Sequence, residues 1–167
     1  MLCWLTAVPS QGGDSTKEFP DKKCKVSLPG KEWVWDDPST VPRALAVARH
    51  SQGSKLVFMA FAAPKGYHID QSAITGFEKG LFKDGSATKE SGKVIQFRGV
   101  PCYEVRVTIG KNNVFGVIRV LGTNDICYQL QLISDPASKE GIDVDSTFDC
   151  FDFTEPPVTA LDTKRVH

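Results

Sequence analysis

Residues 93–133 carry the clearest pattern in the chain, a set of short blocks that alternate apolar and polar side chains between turn residues. Residues 93–97 form one block and Arg98-Gly99-Val100-Pro101 a turn. Tyr103, Val105, Val107 and Ile109 then line one side of the next block, and Glu104, Arg106 and Thr108 the other. Gly110-Lys111-Asn112-Asn113 turns again into residues 114–121. Gly122-Thr123-Asn124-Asp125 leads into residues 126–133, where Ile126, Tyr128, Leu130 and Leu132 alternate with polar neighbours. Strands at this spacing, joined by Gly/Asn turns, predict an antiparallel meander.

The flanking segments supply further elements. Cys24, Val26 and Leu28 alternate with Lys23, Lys25 and Ser27, the mark of a half-buried strand. After the Pro29-Gly30 turn, residues 32–35 (EWVW) read as a second strand. Residues 43–49 and 55–63 read as a strand pair joined by Ser51-Gln52-Gly53-Ser54. The spacing predicts a helix over 70–83. Asp70 is a preferred N-cap, Ile69 and Ile74 sit at staple positions, and Ile74, Phe77 and Leu81 make one apolar stripe. Gly76 and Gly80 cost that helix roughly 1 kcal/mol each relative to Ala, which close approach to a sheet would offset. Residues 142–150 predict a short C-terminal helix, with Phe151 and Phe153 as an extended anchor.

These elements make one α+β domain over residues 23–154: an antiparallel sheet of six or seven strands, with both helices packed on it. Residues 1–22 read as a leader and linker, and 155–167 as a flexible tail. Residues 2–8 (LCWLTAV) are apolar and a Pro-Ser-Gln-Gly-Gly break follows, as at the end of a signal peptide. This points to an exported or periplasmic protein, with a cytoplasmic one as the alternative.

Composition narrows the function. The 167 residues hold 20 Lys+Arg and 20 Asp+Glu, so no excess positive charge favours nucleic acid. No apolar run approaches the roughly 20 residues of a membrane span. Five cysteines, with no C-x-x-C pair, are expected as buried small apolar residues, with one disulfide as the alternative. His50 and His68 fall beside a turn and a helix start, where solvated side chains are expected. No G-x-S-x-G or phosphate loop is present. Asp143-Val144-Asp145-Ser146-Thr147 matches an aspartyl-phosphatase pattern but lacks the strand before it and the chain after it that such a site needs. An incidental cation at Asp143, Asp145 and Asp149 is the remaining metal reading, and no cofactor is expected. Glu104, Arg106, Arg119, Gln129 and Gln131 read as a solvated sheet face. With Trp33, Trp35 and Tyr103 flanking them as aromatic anchors, the same residues make a candidate interaction surface. Core packing is the default reading for both tryptophans.

Four stretches carry a resemblance. They are Leu28-Pro29-Gly30 followed by Trp33; Arg98-Gly99-Val100-Pro101 leading into Tyr103-Glu104-Val105; Asn124-Asp125-Ile126-Cys127-Tyr128-Gln129-Leu130; and Phe148-Asp149-Cys150-Phe151-Asp152-Phe153. In this order they resemble the PsbP-type α/β family. That fold is shared by an extrinsic oxygen-evolving-complex subunit, a Ran-binding nucleotide-release protein and small exported bacterial proteins. Cys150 stands where the family has Ser. The resemblance implies the fold and a non-catalytic role, and carries over no metal-binding or Ran-contacting residue. The expected function is a non-enzymatic binding or accessory module for a protein partner or small ligand. A ligand carrier or hydrolase-like enzyme with a pocket between helix and sheet is the alternative.

Overall fold

The computed structural model describes residues 15–137 and 142–158. Its strands are β1 (Thr16–Phe19), β2 (Cys24–Ser27), β3 (Trp33–Asp36), β4 (Ala46–His50), β5 (Lys55–Ala62), β6 (Ala87–Phe97), β7 (Val100–Ile109), β8 (Val114–Thr123), β9 (Ile126–Ser134) and β10 (Phe151–Phe153). Helix α1 spans Gln71–Leu81 and helix α2 spans Val144–Phe148. Seven strands form one antiparallel sheet in the order β3-β4-β5-β9-β8-β7-β6, and β1-β2-β10 form a second.

Local chemistry sets the register of the meander. Arg98 and Gly99 have φ of 52° and 81°, and the pair Phe97↔Val100 closes around them. Asn124 and Asp125 have φ of 54° and 58° inside the pair Thr123↔Ile126. Two successive positive φ values match the right-handed twist of the flanking strands, so both are tight two-residue hairpins. β6 begins at Ala87, well before the expected Lys93, and a register shift between Lys89 and Ser91 interrupts its pairing with β7.

Each face of the large sheet is covered. On one, Tyr103, Val105, Val107, Ile118 and Val120 join Ile69, with Ile74, Phe77 and Leu81 of α1 packed against them. The Asp70 side chain accepts from the Ala73 N–H at 2.8 Å, so the expected cap starts this helix. The glycine expectation fails, however. A Cβ on Gly76 or Gly80 would meet nothing within 4 Å. The close approach lies on the sheet instead, where a Cβ on Gly122 would come within 2.5 Å of the Tyr67 ring.

On the other face, Leu56, Phe58, Val117, Leu121, Tyr128, Leu130 and Leu132 pack against Cys24 and Val26 of β2, Phe148 of α2 and Phe151 of β10. The small sheet closes through the pairs Phe151↔Val26 and Phe153↔Cys24, with β1 on the far side of β2. β1 and the 3-10 turn Pro20–Lys22 lie in the segment read as a leader, so the folded unit starts at least seven residues earlier than residue 23 in chain order, at Thr16. The expected tail also touches the fold: the Thr123 hydroxyl donates to the Val158 carbonyl at 3.1 Å.

Cys24, Cys102, Cys127 and Cys150 are free thiols, and Cys3 lies outside the described residues. Burial pushes the Cys24, Cys102 and Cys150 thiols up to about 12. The thiolate is the reacting species. All three should therefore resist iodoacetamide at neutral pH in the folded protein and react once it is unfolded by urea, read by mass spectrometry. The stability that these neutral thiols contribute is complete below their ordinary value of 9.0 and is lost as pH rises toward about 12. The melting temperature should accordingly fall across that window.

Candidate binding cleft

β7 and β8 pair Glu104 with Arg119, and β6 places Lys93 opposite Glu104. Glu104 and Arg119 are only 2% exposed, although both stand at positions read as a solvated face. The reason is the second layer: α2 and β10 cover the face that the alternation assigned to water. Arg119 donates from Nε to Glu104 Oε2 at 2.9 Å, and its Nη2 lies 2.8 Å from the same oxygen. Nη2 also donates to Asp145 Oδ1 of α2. The guanidinium carbon sits 4.9 Å from the Phe97 ring centre and 4.8 Å from that of Phe148. Two carboxylates and two aromatic faces thus compensate one buried cation. No buried side-chain N or O atom among the described residues lacks a partner.

The other carboxylate oxygen of Glu104 faces the cleft. Arg106 Nε is 3.6 Å away and Lys93 Nζ 3.7 Å, both beyond good hydrogen-bond distance. Around this carboxylate opens a cleft of about 410 Å³, lined also by Lys93, Phe97, Arg98, Arg106, Asp145 and Asp149. Arg98 is already engaged: Nε donates to the Phe151 carbonyl at 2.9 Å and Nη2 to the Asp149 carbonyl at 2.6 Å. Among the cations of the cleft, Lys93 and Arg106 keep donors for an incoming group, and their side chains are 63% and 41% exposed.

Of the expected surface, Glu104, Arg106 and Arg119 come together here. Trp33 and Trp35 do not. Trp33 is 8% exposed and packs in the core, its ring edge-on to His50 at 5.0 Å. Trp35 is half-buried against the same core, with Lys17 Nζ 4.7 Å from its ring centre. Gln129 and Gln131 pair with Val120 and Ile118, which places them on the α1 face. His50 is no solvated loop residue either: Nε2 bonds Glu32 at 2.9 Å, and Nδ1 accepts from the Gln52 N–H at 3.1 Å. The three aspartates have separate duties. Asp143 caps α2 through the N–H groups of Asp145 and Ser146, Asp145 holds Arg119, and Asp149 pairs with Arg98. No metal-ligating group of three or more forms among the described residues. Between α1 and the sheet, where the alternative reading placed a pocket, Ile74, Phe77 and Leu81 pack against the cluster of Tyr103, Val105, Ile118 and Val120.

Sequence reasoning missed Lys93 and Phe97, and read Asp145 as a candidate cation ligand instead of a partner of Arg119. For Lys93 the signal was present: a two-residue turn at Arg98-Gly99 forces Lys93 opposite Glu104. Asp145 reaches the cleft only through tertiary packing.

No family model and no curated protein matches the sequence. Solved structures do. The cyanobacterial PsbP protein (CyanoP) of Synechocystis superposes with a TM-score of 0.63 at 12% identity, over 89% of this chain and 98% of that one. A protein of Bacteroides thetaiotaomicron superposes at 0.54 and 10% identity, over 84% of this chain and 48% of that one. The protein has a PsbP-like α+β fold.

Proposed function

We propose that the protein is a non-enzymatic binding module that engages a partner protein through the cleft around Glu104. The observation that carries this reading is the division of labour there. A fully paired, aromatic-clamped Arg119 fixes Glu104, and Glu104 holds two exposed cations, Lys93 and Arg106, at ion-pair distance without consuming their donors. Such preorganised donors bind a negatively charged group with little further ordering. A pull-down with the wild-type chain from cells that make it should recover a specific protein, and Lys93→Glu with Arg106→Glu should lose that protein while keeping the wild-type circular dichroism. Equal recovery by both chains would sink the reading.

Export is part of the same proposal, and the apolar run at residues 2–8 supports it. Thr16 pairs with Ser27 in β1-β2, so any cleavage must fall ahead of that strand. N-terminal sequencing of the native protein should start between the apolar run and Thr16. A native chain that retains residues 2–8 would remove export.

A further inference from the structure

β6 ends the large sheet, and among the described residues its strand partner is β7 alone. On an edge strand every second residue turns its N–H and C=O away from the single neighbour. The two halves of β6 differ. The first half is guarded by the register shift between Lys89 and Ser91, a device that spoils an edge for further pairing. From Ser91 to Phe97 the pairing with β7 is regular, Ser91↔Arg106 through Phe97↔Val100. That regular half is the one beside the cleft, which Lys93, Ile95 and Phe97 line from one side of the strand. On the opposite side Val94 is 54% exposed, one of three large apolar side chains so exposed among the described residues.

From this juxtaposition we infer that β6 accepts an acidic, extended segment of a partner protein as an added strand along residues 91–97. This rests on the cleft reading above and says how the partner is held. The main chain of the incoming segment bonds the open edge of β6, and its alternate side chains are read separately. A carboxylate set across from Lys93 takes the donors that Glu104 leaves 3.6 and 3.7 Å away on Arg106 and Lys93. An apolar neighbour covers Val94. Charge favours an acidic segment over a basic one, because four cations of the cleft (Lys93, Arg98, Arg106, Arg119) face three carboxylates (Glu104, Asp145, Asp149). A basic segment would meet Lys93 directly across the strand, where like charges repel.

The test titrates the full chain with acetyl-Val-Glu-Val-Glu-Val-Glu-amide at concentrations up to about millimolar, the weak end of specific binding, and reads backbone amide shifts and hydrogen exchange. The expected result is shifted and slowed amides within residues 91–97, abolished when alternate peptide nitrogens of the probe are methylated and when its Glu residues are replaced by Lys. Lys93→Gln should weaken binding about three- to fivefold, the worth of one cross-strand ion pair. Free glutamate is the second probe. If both probes shift only the residues around Lys93 and Arg106, and the methylated peptide does so equally, strand addition is overturned while the cleft reading stands. If neither probe shifts any amide of β6 or the cleft, both are overturned.

Discussion

Arg119→Ala should lower the unfolding free energy by about 3–5 kcal/mol, the usual result of removing one partner of a buried ion pair. The variant leaves the Glu104 carboxylate 2% exposed, without the two short bonds from Arg119, and facing Lys93 and Arg106 only at longer range. It also empties the space between Phe97 and Phe148. Urea denaturation followed by far-ultraviolet circular dichroism measures the loss. The informative comparison is the double variant Arg119→Met, Glu104→Leu, which replaces both charges with apolar groups of similar volume. It should recover most of the lost stability, since well-packed apolar residues commonly match or exceed a buried pair. If the double variant is as unstable as the single one, the pair is not what the alanine change disrupts.

Phe151→Ala should cost about 3–5 kcal/mol by the same measurement, as expected for truncating a buried aromatic whose site cannot collapse. Phe151 is 1% exposed and lies 5.4 Å from Tyr128, 5.3 Å from Phe153 and 6.3 Å from Phe97, ring centre to ring centre. It pairs with Val26 in the register that seats β10 on β2. The Arg98 side chain holds its carbonyl. Removing the ring therefore loosens the small sheet, the turn at Arg98 and one wall of the cleft together. Phe151→Leu, which keeps most of the volume, should lose much less. Equal losses for both would mean that the ring is not the anchor described.

The meander was readable because its signals are local. The turns at Arg98-Gly99 and Asn124-Asp125 sit beside the strands they join, and Asp70 caps α1 from the adjacent position. The second layer was hidden because nothing local marks it. β1 (TKEF) is too polar and too short to show a period, and β2 finds β10 only across most of the chain. Without that layer, Glu104 and Arg119 looked solvated. One clue pointed the other way: β8 (VFGVIRVLGT) is apolar on both sides except at Arg119 and the terminal Thr123, as in a strand covered on two faces. A lone Arg in such a strand asks for a buried partner. Lys93, Arg106 and Glu104 then follow from hairpin register, whereas Asp145 depends on where α2 lands.

The pairing of β2 with both β1 and β10 has a consequence for how the protein is made. β2 leaves the ribosome before β3 to β9, and its second partner, β10, follows all of them. Until then Tyr128, Leu130 and Leu132 lack the Phe151 side of their cover. Completion of the fold therefore waits until Phe151–Phe153 have left the ribosome, and a transcript truncated before residue 151 would leave an adhesive apolar surface for chaperones and proteases to find.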